Sequence, residues 1–310
     1  MNKAALTLSI LLLVALAWLL TPPRLDQLPA TEVSTAPGPD LADGVIPGAE
    51  ARTVRANGEA RTAWSVVALH GFTATRQETA PLAETVASLL QANLYEARLS
   101  GHGLTENPLA NVRAENWLQD AADALATGAA IGDRIIVIGT STGATLAAAM
   151  LDHELAKNID TIVMISPNFE PRDPNAHWLT RPAGPLLANL AVGDTRCWEP
   201  RNELQEQYWS TCYPTAAAVE MMRLVDRANR LLPADIPQRL LMFYASDDTV
   251  VSPQAALEVF NATGSPQKAA VEIRDAGDAS HHVLAGDILS PESTQRMAEA
   301  IVGFIERPVP

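Results

Sequence analysis

The chain has 310 residues, 47% of them hydrophobic and 19% charged, with a formal net charge of −14. That balance supports a sizeable core and excludes a disordered chain. The acidity excludes a nucleic-acid partner, which needs clustered Lys and Arg, and sets a mild bias against anionic surfaces and substrates.

Lys3 precedes an apolar run over 4–20, with Thr7 and Ser9 as mild interruptions. Such a run sits at the short end of the transmembrane range and exceeds the usual signal-peptide core. Residues 1–21 are therefore expected to form an uncleaved membrane anchor, the chain's membrane partner. Lys3 would keep the N terminus in the cytoplasm and the rest of the chain outside. The alternatives are a signal peptide cleaved near Ala15 and Ala17, which would release a secreted domain, and a buried helix. No Cys follows the run, which argues against a lipid-modified N terminus. Residues 22–47 contain Pro22, Pro23, Pro29, Pro37, Pro39 and Pro47 and read as a stiff linker to a domain over 48–310.

From there strands and helices alternate. Residues 49–55 reach the turn signal Asn57-Gly58 and suggest an opening hairpin. Strands are expected over 64–69, 94–99, 134–139 and 161–166, with helices over 81–92, 115–126 and 142–155 between them. The run RIIVI at 134–138 suits the buried middle of a parallel sheet. The alternation stops over 168–237, a proline-rich stretch with several Trp and Tyr. It resumes with strands over 239–245 and 269–275 and helices over 253–260 and 291–306. This pattern predicts an α/β fold, a doubly wound and mostly parallel sheet, with a helical cap inserted after the sixth core strand. Cys197 and Cys212 both fall in the cap, and outside the cytoplasm they are expected to form a disulfide.

The sharpest chemical signal is Gly139-Thr140-Ser141-Thr142-Gly143, lying between the apolar strand and an Ala-rich helix. A Ser on a tight strand-to-helix turn is lifted above the sheet at the positive end of the helix, as a nucleophile requires. Three further segments join it. His70-Gly71-Phe72 ends an earlier strand, where the Phe72 N–H and that of Thr142 would form an oxyanion hole. Asp247 and Asp248 end the strand after the cap; Asp248 is preferred because Val250 and Val251 would anchor its loop. His281 and His282 follow the last strand; His282 is preferred because Val283 and Leu284 would pack back on the core. His70 and His102 read as structural, and His153 and His177 lack companions at metal-ligand spacing, so no metal is expected.

The segments HGFTAT, SGHG, GTSTG, DDTVV and SHHVLAGD resemble those of the α/β-hydrolase superfamily. The similarity is to the monoacylglycerol-lipase and carboxylesterase-like group, also described as serine aminopeptidase-like or lysophospholipase-like, and it runs from about position 64 to the C terminus. It implies Ser141 as nucleophile, Asp248 and His282 as its partners, and Phe72 and Thr142 as oxyanion donors, with no cofactor. Position 142, where such enzymes often carry Gly or a hydrophobic residue, holds Thr, so no named substrate is carried over. The expected activity is hydrolysis of a carboxylic ester with a small or medium acyl chain, lipid esters included, through an acyl-enzyme. An amidase or peptidase of the same fold, or a non-catalytic binding protein, are the alternatives. Trp178, Trp198, Tyr208, Trp209, Tyr213, Met221 and Met222 lie in the cap; most are expected to pack it onto the core, and one or two to line an acyl pocket.

Overall fold

The computed structural model describes residues 3–22, 24–25, 44–106 and 108–308. In chain order the strands are β1 Arg52–Val54, β2 Thr62–Leu69, β3 Asn93–Glu96, β4 Gly132–Thr140, β5 Ile159–Ile165, β6 Thr195–Cys197, β7 Cys212–Pro214, β8 Arg239–Tyr244 and β9 Lys268–Glu272. The helices are α1 Lys3–Leu19, α2 Leu82–Leu89, α3 Ala114–Ile131, α4 Thr142–Ala149, α5 Gly184–Val192, α6 Glu203–Tyr208, α7 Thr215–Leu231, α8 Pro253–Ala262 and α9 Pro291–Glu306. Among the described residues the main sheet has seven strands in the order β1-β3-β2-β4-β5-β8-β9. All its neighbours are parallel except β1 and β3.

The apolar strand β4 shows why the sheet is covered on both faces. Ile135 and Val137 point into a core shared with α3, α4, α7 and α8, while Ile136 and Ile138 point into a second core shared with α2 and α9. All four side chains are buried, as the middle strand of a doubly wound sheet demands. Trp117, Leu118, Ala121 and Leu125 give α3 its buried stripe at helical spacing.

Four expectations need correcting. The opening segment is not a hairpin: β1 pairs with β3, because β2 already has β3 on one side and β4 on the other. Among the described residues the segment between β5 and β8 follows the fifth strand of the main sheet in chain order, not the sixth. Helix α4 stops at Ala149 and does not run to 155, since the His153 side chain accepts the Leu155 N–H and starts a separate 3₁₀ turn. The membrane anchor also fails. Among the described residues no helix is long and apolar enough to cross a membrane. The 17 residues of α1 extend about 25 Å at 1.5 Å each, short of the roughly 30 Å hydrocarbon layer. The placement of an anchored domain outside the cytoplasm rested on that span and falls with it.

Beyond α1 the chain touches the folded body. Leu20 O accepts the Ala183 N–H at 3.2 Å, and the buried Leu25 offers its carbonyl to Arg227 at 2.9 Å and Arg230 at 3.1 Å. Most of the expected linker, positions 23 and 26–43, lies outside the described residues.

The disulfide joins Cys197 to Cys212. These two residues face each other directly in the small β6–β7 hairpin, with Cα atoms 4.1 Å apart. Strand register, not loop length, is what brings them together.

Candidate active site

The sequence-named residues gather at the C-terminal edge of the parallel strands, where ligands bind in open α/β sheets. Phe72 follows β2, Ser141 follows β4, Asp248 follows β8 and His282 follows β9. Phe72, Ser141, Thr142 and His282 all border one cavity of about 860 Å3.

Ser141 sits between the last residue of β4 and the first of α4, with φ 51° and ψ −115°. A non-glycine residue in this region is strained, and the surroundings over-determine it. Its N–H donates to Ile165 O at 2.8 Å, and its carbonyl accepts from Ala144 and Thr145 in the first turn of α4. The turn also needs Gly143: a Cβ there would lie 2.1 Å from the Leu69 carbonyl oxygen. Small residues thus let the helix approach the sheet and leave Ser141, buried but for one edge on the cavity, at the helix N terminus.

His282 and Asp248 meet across the sheet edge, with Nδ1 to Oδ2 at 2.8 Å. The other Asp248 oxygen accepts the N–H groups of Val250 at 2.7 Å and Val251 at 3.0 Å. Those bonds fix the carboxylate, which in turn fixes the imidazole with Nδ1 as donor and Nε2 as the free acceptor. Burial opposes charging of His282. The charge and hydrogen bond of Asp248, with Glu78 and Asp278 further off, outweigh it and hold the histidine above its ordinary 6.5. The other member of each doublet pairs elsewhere: His281 Nε2 lies 3.4 Å from Asp247 Oδ2 in a more exposed position.

Sequence reasoning missed the residue that shapes the histidine loop. Asp278 Oδ2 accepts the N–H groups of His282 at 3.1 Å and Val283 at 3.0 Å, and Arg201 approaches its other oxygen at 3.3 Å. Burial would raise this carboxyl, but the Ser280 hydroxyl and the Val283, Ser280 and His282 N–H groups hold it below its usual range. The Ser166 hydroxyl completes the brace by donating to His282 O at 2.7 Å.

His70 is a second brace. Its Nε2 accepts the Leu99 N–H at 3.1 Å, which leaves Nδ1 as donor to Gly71 O at 3.0 Å. Burial pushes it down to about 4, so it stays neutral in that tautomer. His102 is buried against the rings of His70 and Trp117, and burial holds it well below its ordinary value.

The wall opposite Ser141 comes from the segment between β5 and β8. Trp178, Trp198, Trp209, Tyr213 and Met221 all border the cavity, more than the one or two expected; Tyr208 and Met222 do not. The Phe72 ring packs edge-on against Tyr213 at 5.0 Å and Trp117 at 6.0 Å, joining this wall to the core.

Comparison with known proteins agrees with this architecture. A model of the hydrolase family described as serine aminopeptidase, S33, matches residues 60–284. A thermostable monoacylglycerol lipase from Bacillus sp. (strain H-257) is 26% identical over 239 residues, covering 76% of this chain and 88% of that protein. Among solved structures, one from work on the metagenome-derived lipolytic enzymes LipS and LipT superposes with a TM-score of 0.68 at 22% identity, covering 84% of this chain and 98% of the other. A soluble variant of monoglyceride lipase from Saccharomyces cerevisiae, bound to a substrate analogue, gives 0.61 at 13% identity, covering 91% and 99%.

Proposed function

The chain belongs to the serine aminopeptidase S33 family of hydrolases, and from that premise we propose that it is a lipase or esterase that cleaves carboxylic esters through an acyl-enzyme on Ser141. The observation that carries this reading is one cavity bordered both by Ser141 on its strained turn and by His282 paired to Asp248 at 2.8 Å. His282 Nε2 would take the Ser141 proton as the hydroxyl attacks the acyl carbonyl, then return it to the departing alcohol. Asp248 would hold the tautomer and favour the imidazolium that forms. The N–H groups of Phe72 and Thr142 would receive the oxyanion, each worth about 3 kcal/mol by the measured scale of such donors. Water then attacks the ester of Ser141 by the same route in reverse.

In this reading residues 168–237 act as a cap whose aromatic wall takes the acyl chain. A cavity of about 860 Å3 is at the upper end of small-molecule sites, so a lipid ester with a medium or longer chain fits better than a small acyl group. The monoacylglycerol lipase named above is consistent with that class. The test is a series of p-nitrophenyl esters from acetate to palmitate, with aminoacyl nitroanilides alongside, on the full chain. The highest kcat/KM is expected at octanoate or longer. Acetate as the best substrate would refute the chain-length assignment, and faster nitroanilide cleavage would make the protein a peptidase. The rate should fall on acidification with an apparent pKa above 6.5, because the base must be neutral and its pKa is raised.

A further inference from the structure

The acyl-transfer scheme, with the Asp278 brace of the histidine loop, leaves the buried carboxylate of Glu78 on the cavity wall without a role. Glu78 ends the 3₁₀ turn Arg76–Glu78, is almost wholly buried, and borders the same cavity as Ser141 and His282. Its Oε2 accepts the Gly71 N–H at 2.7 Å. Its Oε1 lies where a Cβ on residue 71 would come to 2.8 Å, so any larger residue there would displace the carboxylate from this stretch of backbone. The next peptide, Gly71–Phe72, has its carbonyl held by His70 at 3.0 Å. A trans peptide sends its N–H opposite to its C=O. With Gly71 N–H held by Glu78 and Gly71 O held by His70, both torsions of Gly71 are constrained and the direction of the Phe72 N–H is set.

The charged groups facing Glu78 are His282 and Asp278, both from the loop after β9. Arg201 lies beyond Asp278, and Arg76 on Glu78's own turn is directed to Glu50 and Glu96. Burial pushes Glu78 up to about 7, against the Gly71 N–H and the charge of His282. The group therefore gains or loses its proton near neutral pH.

Resting on the acyl-enzyme reading above, we propose that Glu78 is a positioning residue of this site, which aims the Phe72 N–H at the oxyanion and sets negative charge beside His282. Two effects follow. Loss of the acceptor lets Gly71 rotate and misplaces one oxyanion donor, which lowers kcat more than it raises KM. Loss of the charge removes one of three carboxylates around His282 and lowers the pH at which it becomes a free base.

The test compares Glu78→Ala, Glu78→Gln and Gly71→Ala with the wild type, measuring kcat, KM and the pH dependence of kcat/KM on a p-nitrophenyl ester. Glu78→Ala and Gly71→Ala, which remove or displace the carboxylate, should each lose about 100-fold in kcat with KM within about threefold. Glu78→Gln keeps an acceptor for the Gly71 N–H, so kcat on the alkaline plateau should recover to within about tenfold, while its acid limb moves down by about half a pH unit. Wild-type kcat in folded Glu78→Ala, or a Gln variant as slow as Ala, would overturn the positioning role. If neither Glu78→Ala nor Gly71→Ala folds, judged by near-UV circular dichroism, the Gln profile decides: an unmoved acid limb overturns the proposal. Failure of the underlying reading is seen separately, as hydrolysis that survives Ser141→Ala whatever the Glu78 variants do.

Discussion

Glu78→Gln also makes a prediction about stability that is independent of activity. The wild-type carboxyl is buried and raised to about 7 from an ordinary 4.5. The folded protein therefore prefers it protonated. That preference is fully present below 4.5 and is lost as pH rises through about 7. At about 1.36 kcal/mol per pH unit, the whole separation amounts to about 3.4 kcal/mol. Between pH 5 and pH 8 about 2.5 kcal/mol of it is lost, because near pH 5 part of the unfolded population has already ionised. Gln has the same shape and no ionisation, so it escapes the loss. Urea unfolding of both proteins at pH 5, 6, 7 and 8 measures the difference directly. The gap should move in favour of Glu78→Gln by about 2.5 kcal/mol across that range, whatever its value at pH 5. His282 and Asp278 titrate in both proteins, and the half-unit drop expected at His282 in the variant changes the gap by no more than about 0.7 kcal/mol. A gap that stays constant within about 0.5 kcal/mol would mean that Glu78 is ionised throughout and solvated, and would refute the burial argument.

The remaining predictions concern the catalytic groups and the disulfide. His282→Ala and Asp248→Asn should each lower kcat by several orders of magnitude, as members of a cooperating unit do, while His281→Ala and Asp247→Asn should cost less than about tenfold; a reversed pattern in steady-state assays would move the roles to the other doublet members. Removal of the bridge by Cys197→Ser with Cys212→Ser releases a hairpin whose closed loop is worth up to about 3 kcal/mol in the chain-entropy model. Limited proteolysis should then cut within 168–237 well before the main sheet melts, and simultaneous loss of both would show that the hairpin supports the whole domain.

Much of the fold was legible because its signals are local. RIIVI at 134–138 is apolar on both faces, and the small residues around Ser141 answer a steric demand visible within five positions: Gly143 has no room for a Cβ beside Leu69. The structure pairs Asp248 with His282. Of the apolar residues expected to anchor their loops, Val251, Val283 and Leu284 are buried, whereas Val250 is exposed. Val250 acts only through its backbone N–H, which with that of Val251 donates to the Asp248 carboxylate. What stayed hidden depends on partners distant in the chain or on an edge that sequence does not print. Glu78 gains its place only against Gly71, His282 and Asp278, and Asp278 only against the loop it folds. The Asn57-Gly58 turn is present, but which strand β1 joins depends on the neighbours β2 already has. The N-terminal run was read from its apolar composition, whereas helix length decides whether it can span. The aromatic residues of 168–237 carry no period that tells a cavity wall from packing, so more of them border the cavity than expected.

The central claim is that Ser141 is the nucleophile, and covalent labelling tests it most directly. The purified chain would be treated with a fluorophosphonate, digested, and the modified peptide located by mass spectrometry. One adduct on Ser141 is predicted, appearing in step with loss of ester hydrolysis and absent in Ser141→Ala of unchanged melting temperature. Labelling of another residue, or full hydrolysis by Ser141→Ala, would contradict the account.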